Sequence, residues 1–188
     1  FVVPSEWTEI RRGAFNTCTE LTSVTLSDNI ATIGITAFNF WLSLESINIP
    51  DSVTEIKDNA FYGCTSLIDM TISNTVAKLG KSVFTNCSKL TNVTLGDGFN
   101  CNGLDLSPST KYGVDTLVAM LTALADRTGQ TAYTLTLGAT NLAKLILAKT
   151  RLQALLLSSA IESSLLAIVQ CSIATRIGYA IICIKTSW

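Results

Sequence analysis

Histidine is absent from the 188 residues, charged side chains make up only 14% of them, and the net charge is −1. Without histidine there is no Ser-His-Asp or Cys-His nucleophile pair and no His-containing metal site. Without a basic surplus there is no electrostatic footprint for nucleic acid. No Cys-x-x-Cys, Walker-type or Gly-x-Gly-x-x-Gly stretch occurs, so zinc and nucleotide-phosphate signatures are missing. Carboxylate pairs such as Glu55 with Asp58 fall on turn segments with no apolar pocket to raise a pKa, which leaves acid–base catalysis without candidates. What is present is apolar: 48% of the chain is hydrophobic. That length and composition suit one or two domains with a sizeable core and argue against disorder.

The few charges are unevenly placed. Residues 1–110 hold six Lys and Arg against eleven Asp and Glu, whereas residues 111–188 hold seven against three. A shift of this kind separates regions of different role or origin. The chain opens at Phe1, inside a pattern, with no Met and no charged-then-apolar leader. It therefore reads as a fragment or processed product, and the missing leader says nothing of the full gene.

That pattern is a 23-residue repeat. Phe15, Phe38, Phe61 and Phe84 recur at this interval, preceded by Ala14, Ala37, Ala60 and Val83. Three residues after each Phe stand Cys18, Trp41, Cys64 and Cys87, and three further on Leu21, Leu44, Leu67 and Leu90. Val24, Ile47, Met70 and Val93 form another column, Leu26, Ile49, Ile72 and Leu95 the next. Ile30, Val53, Val76 and Phe99, with Ile10, Ile33, Ile56 and Leu79, complete the set, and Phe1, Val3 and Trp7 fit the same frame as a partial unit. Alternation within each Leu-x-x-Val-x-Leu stretch predicts a strand with one buried face. Ser27-Asp28, Pro50-Asp51, Ser73-Asn74 and Gly96-Asp97 then supply turns. The return arm, for example Thr54 to Phe61, is predicted to be irregular or a single helical turn. No unit can bury its apolar face alone, so units must stack, strand pairing with strand in a parallel sheet.

The columns resemble the BspA-type leucine-rich repeat, whose pattern runs Leu-x-x-Ile-x-Leu-Pro and then Ile-x-x-x-Ala-Phe-x-x-Cys. Ile49-Pro50-Asp51-Ser52-Val53-Thr54-Glu55-Ile56-Lys57-Asp58-Asn59-Ala60-Phe61-Tyr62-Gly63-Cys64 follows it nearly throughout. Trp41 in the Cys column and Val83 for Ala are the departures. The resemblance implies a secreted or cell-surface protein of host-associated bacteria or protists, or a phage-associated one, acting in adhesion to a host or surface protein. It brings no catalytic residues, no cofactor and no metal.

After Gly103 the phase is lost. Leu104-Asp105-Leu106 reads as a strand end, and Val114, Leu117, Val118, Leu121 and Leu124 predict an amphipathic helix from about Val114 to Arg127. Gly129 is placed to end it, and Tyr133, Leu135 and Leu137 alternate as a strand. Strand, helix and strand would extend the sheet and cover its open end. The stretches Leu124–Gly129 and Leu137–Leu145 are similar to the C-terminal segment of such repeat proteins from gut bacteria and their phages, which continues there into a short charged helix and a Trp-containing strand. Here an apolar run with almost no acids follows Leu145. Three readings stay open for it: a buried helical hairpin, a tail translated out of its ancestral frame, and a membrane anchor over 152–184.

The expected fold is thus an α/β repeat: a short leucine-rich repeat solenoid of 23-residue units with a parallel sheet and a C-terminal strand–helix–strand cap. Its parts are repeats over 1–103, the cap over 104–145 and an apolar tail over 146–188. Two groups of residues are candidates for chemistry. The cysteine column is most simply a buried apolar slot, although rungs about 4.8 Å apart would let Cys64 and Cys87 be bridged. Outward strand positions expose Ser23, Thr25, Ser27; Ser46, Asn48, Pro50; Asp69, Thr71, Ser73; and Asn92, Thr94, Gly96. Thr25, Asn48, Asp69, Thr71, Asn92 and Thr94 are the candidate binding residues on this small, polar face. It has no aromatic platform for a sugar and one charge, and its alternatives are a merely solvated sheet or a spacer with no ligand.

Overall fold

A computed structural model describes residues 1–124 and 135–158. Elements run β1 (Glu9–Ile10), β2 (Thr32–Ile33), β3 (Ser46–Ile49), β4 (Glu55–Ile56), β5 (Asp69–Ile72), β6 (Lys78–Leu79), β7 (Asn92–Leu95), β8 (Leu104–Asp105), α1 (Val114–Ala123), β9 (Leu135–Thr136) and α2 (Ala139–Ser158). The chain coils as a solenoid. β3, β5 and β7 form one parallel sheet in register, Ser46↔Asp69↔Asn92 and Asn48↔Thr71↔Thr94. Each of these strands alternates exposed and buried side chains, as its period of two requires.

The return arm differs from expectation. It carries a second parallel sheet of two-residue strands, ordered β1-β2-β4-β6. The pattern of alternation could not announce it, because two residues are too few to show a period. Its strands place Ile10, Ile33 and Ile56 inside, facing the first sheet across the core.

Between the sheets lies the phenylalanine column. The rings of Phe15, Phe38, Phe61 and Phe84 stack with centroids 5.3, 5.0 and 5.9 Å apart and interplanar angles of 6°, 9° and 10°. Main-chain bonds run in the same direction: Phe15 N donates to Ala37 O, Phe38 N to Ala60 O and Phe61 N to Val83 O. Ala37 and Ala60 are fully buried at these junctions, where a small side chain lets successive turns approach. Ala14, on the first rung, is exposed.

Each return turn also holds two left-handed residues four apart: Gly13 with Thr17, Thr36 with Phe40, Asn59 with Gly63, and Ser82 with Asn86. Six of these eight are not glycine, so composition concealed them. At Gly63 the requirement is doubled, since a Cβ there would stand 2.6 Å from the Phe40 ring.

The cap follows the predicted order, but β8 and β9 do not extend either sheet of the solenoid: they pair with each other, parallel through Leu104↔Leu135 and Asp105↔Thr136, as a separate two-stranded sheet. Its helix is shorter than the predicted span to Arg127. α1 ends at Ala123, whose carbonyl accepts from Phe99 N at 2.9 Å, and Leu124 turns extended to bridge Phe99. The buried stripe is Leu117, Met120 and Ala123, while Val118 is exposed. Gly129 and Tyr133 lie outside the described residues, as does most of 152–184. Among the described residues no helix is long and apolar enough to cross a membrane. α2 runs across the 145/146 position, where Ile146 and Leu147 are 58% and 52% exposed.

Candidate binding surface

The pairing of β3, β5 and β7 brings five of the six candidate residues together. Asn48, Thr71 and Thr94 form one exposed row, and Asp69 and Asn92 stand with Ser46 in a second. Asn92 Nδ2 donates to Asp69 Oδ1 at 2.5 Å, which ties the second row across a rung. Thr25 is exposed but outside the sheet. Its partner in an isolated bridge is Val2, and its amide donates to Phe1 O at 2.9 Å.

Two of the positions expected to point outward are turned in. Pro50 is buried, and Ser73 is 6% exposed. Ser73 Oγ donates to Asp51 Oδ1 at 2.6 Å and accepts from Thr75 N, so it builds the corner that follows β5. Strand alternation ends where the chain begins to turn, and the last outward position belongs to the turn.

The surface has relief that a list of strand positions lacks. A groove of about 640 Å³ runs along the ends of the strands, lined by Asp28, Asn48, Asp51, Thr71, Asn74 and Thr94. A second of about 640 Å³ lies between β7 and α1, lined by Asn92, Thr94, Asp97, Asp115, Thr116 and Thr122. Thr94 belongs to both. The sequence reading missed Asp28, Asp51 and Asp97 as surface residues because it assigned them only to turns. Their 23-residue spacing, shared with Asn74, was the available signal. Asp115 arrives from the cap and had none.

The cysteine column is structural. Cys64 Sγ donates to Phe38 O and Cys87 Sγ to Phe61 O, both at 3.1 Å. Each thiol thereby satisfies the carbonyl of a stacked Phe one rung away. Both are free thiols, and hydrogen bonding with Cys87, then burial, raise the Cys64 pKa well above the ordinary range. A thiol held protonated in this way is no nucleophile. Trp41 fills the same slot, stacking on Phe15 and Phe38 at 5.6 Å and donating from Nε1 to Leu21 O. Cys18, on the first rung, is half-buried, and Cys101 is buried.

Glu55 and Asp58 do not form an acid–base pair. Glu55 lies opposite Lys78 on the second sheet, and Asp58 Oδ1 accepts from Lys81 N at 2.7 Å. Among the described residues, no three Asp, Glu or Cys side chains gather as a metal site.

The cap is fastened by polar groups that sequence reasoning did not single out. Ser109 Oγ donates to Leu90 O at 2.6 Å, carrying the last repeat into the cap. Buried Asn141 donates from Nδ2 to Ser109 O at 2.8 Å and to Leu137 O at 2.7 Å. Lys144 Nζ donates to Thr110 O and Tyr112 O at 2.7 and 2.8 Å.

A stack of 23-residue turns with an Ala-Phe-x-x-Cys corner is the mark of one repeat class. Residues 1–103 match the BspA type leucine rich repeat region in six copies, and the chain belongs to that family. Six units of 23 residues would need more than 103, so the matched copies include incomplete ones beside the four full units of the columns. Among solved structures the chain is similar to a leucine rich cell surface protein from Faecalibacterium prausnitzii A2-165, at 31% identity over 50% of this chain and 31% of that one, with a TM-score of 0.41. It is also similar to the T. pallidum leucine rich repeat protein, at 27% identity over 56% of this chain and 60% of that one, with a TM-score of 0.42. The chain thus spans less than two thirds of either protein. No curated protein matches it.

Proposed function

We propose that the chain is a non-enzymatic module, displayed at a cell or phage surface, that adheres to a host protein through the β3–β5–β7 face. One observation carries this: the outward side chains of three register-locked strands stand exposed, with both grooves opening beside them. Membership of the BspA type family supports a repeat module for protein interaction and a surface location. The face offers amide and hydroxyl groups in fixed rows, so a partner gains hydrogen bonds without ordering the surface it meets.

The test places lysine at Thr25, Asn48, Thr71 and Thr94 together and measures attachment of chain-coated beads to host cells. Loss of attachment is expected, while four lysines on the other side, at Thr8, Thr32, Thr54 and Ala77, leave it unchanged. Attachment that survives the strand-face lysines would show instead a structural spacer that holds another part of a larger protein away from the surface.

A further inference from the structure

We infer that the strand face takes a cationic, extended polypeptide segment, with Lys or Arg at about every third residue. The inference rests on that face being the adhesive surface and names the chemistry of its partner.

Charge is sorted between the two sides of the solenoid. Of the six Lys and Arg in residues 1–110, five (Arg11, Arg12, Lys57, Lys78 and Lys81) lie in or beside the return-arm strands β1, β4 and β6. The sixth, Lys89, lies ahead of β7, at the opposite end of the strands from the groove corners. Among the described residues, no Lys or Arg lines either groove. Asp28 and Asp51 line the first, and Asp97 and Asp115 the second. The ion pair found among the described residues, Arg11 with Glu9 at 3.6 Å, is on the other side. Among the described residues, none of the four groove carboxylates is held in an ion pair. Concave, apolar-backed surfaces of one sign concentrate the field and draw opposite charge.

The geometry selects an extended chain. Rungs are spaced by about 4.8 Å, which puts the Asp51 and Asp97 positions, two rungs apart, roughly 9.6 Å from each other. Three residues of extended polypeptide span about the same distance. Between them Asn48, Thr71 and Thr94 make a floor of donors and acceptors suited to a peptide main chain. Asp115, on the α1 wall, continues the line beyond the last strand.

The experiment titrates the whole chain into a labelled ten-residue peptide of Lys-Ser-Ser repeats and into its Glu-Ser-Ser counterpart, read by fluorescence anisotropy. The Lys peptide binds, the Glu peptide does not, and affinity falls about tenfold between roughly 20 and 150 mM salt as screening shortens the reach of the carboxylates. Asp51→Asn, Asp97→Asn and Asp115→Asn together weaken binding about tenfold, whereas Glu9→Gln, Glu55→Gln and Asp58→Asn, the same change of net charge, leave it within about twofold. Circular dichroism confirms folding. If the first triple variant does not fold, Asp97→Asn and Asp115→Asn carry the test singly, since neither side chain holds a hydrogen bond among the described residues. Absence of Lys-peptide binding, or equal losses in the two triple variants, overturns the inference. If the peptide fails to bind while the strand-face lysines still abolish attachment, the cationic partner is wrong and the adhesive face stands. If the peptide binds through the groove carboxylates while attachment survives those lysines, the cationic site stands and the adhesive role falls.

Discussion

Replacing Phe61 by alanine removes a ring that is fully buried and held between two others, Phe38 at 5.0 Å and Phe84 at 5.9 Å. Transfer of the lost ring accounts for about 2–3 kcal/mol. A residual cavity on the order of 80 Å³, at about 24 cal/mol per Å³, adds about 2 kcal/mol. The neighbours have little freedom to close that space. Phe61 N and Ala60 O are both tied into main-chain bonds with adjacent turns, so the rungs cannot slide together. The expected loss is therefore about 4–5 kcal/mol, in the upper part of the roughly 3–5 kcal/mol range of buried Phe→Ala changes. Phe61→Leu, which keeps most of the volume, should lose about 1–1.5 kcal/mol. Urea unfolding followed by circular dichroism measures both. An unchanged slope against urea would show that the whole solenoid still unfolds as one unit, whereas a smaller slope would show that the stack now opens at rung three. A loss below about 1 kcal/mol for Phe61→Ala, the scale of surface changes, would refute an interior aromatic column.

Four further predictions follow from other contacts. Gly80→Ala sets a Cβ 2.3 Å from Asp58 N and 2.5 Å from Lys57 C; forcing these main chains apart should cost about 1–3 kcal/mol in denaturant, and a neutral result would show that the second sheet yields freely. Asn141→Ala strips donors from Ser109 O and Leu137 O and should cost about 1–3 kcal/mol; amide exchange should quicken at 109–112 but not at Phe61, and uniform quickening would contradict a local fastening. Burial pushes the Cys101 thiol up to about 11 from an ordinary 9.0. The folded chain therefore keeps a proton that the unfolded chain releases, so this contribution to stability is complete below pH about 9 and is lost as pH rises to about 11. The difference in unfolding midpoint between wild type and Cys101→Ala should vary over that window, and a constant difference would refute the assignment. Truncation after Leu145 is expected to leave the thermal midpoint within a few degrees and to improve solubility, as Ile146 and Leu147 already stand exposed on α2; a truncated chain that fails to fold would show that the tail completes the cap.

Much of the fold was legible in the residues because stacking is a nearest-neighbour problem. A 23-residue period sets the register of every strand pair, which is why Asn48, Thr71 and Thr94 could be placed in one row beforehand. Alternation says which side of each strand is buried, and a recurring Phe in a chain of identical turns has only its own copies to pack on. These are local or periodic relations, and they need no knowledge of how a turn closes. Thr25 shows the limit: it occupies the right column, yet the first rung lacks the pairing that would place it in the sheet.

What the tertiary structure alone decided depends on closure. The two-residue strands of the return sheet exist because turns already aligned elsewhere bring Ile33 and Ile56 side by side, not because any local pattern asks for them. Thr36, Phe40 and Ser82 take left-handed backbones that their own side chains disfavour, since the corner must bend there to finish the turn. The hydrogen bonds by which Ser109, Asn141 and Lys144 fasten the cap reach 19 to 34 residues along the chain without a repeat to mark them. The acidic border of the candidate site is of the same kind. Asp28, Asp51 and Asp97 could be read as turn residues, but only the docking of α1 against β7 sets Asp115 on the same groove as Asp97. Sequence specifies what repeats and what alternates, and three-dimensional closure specifies which unlike residues become neighbours.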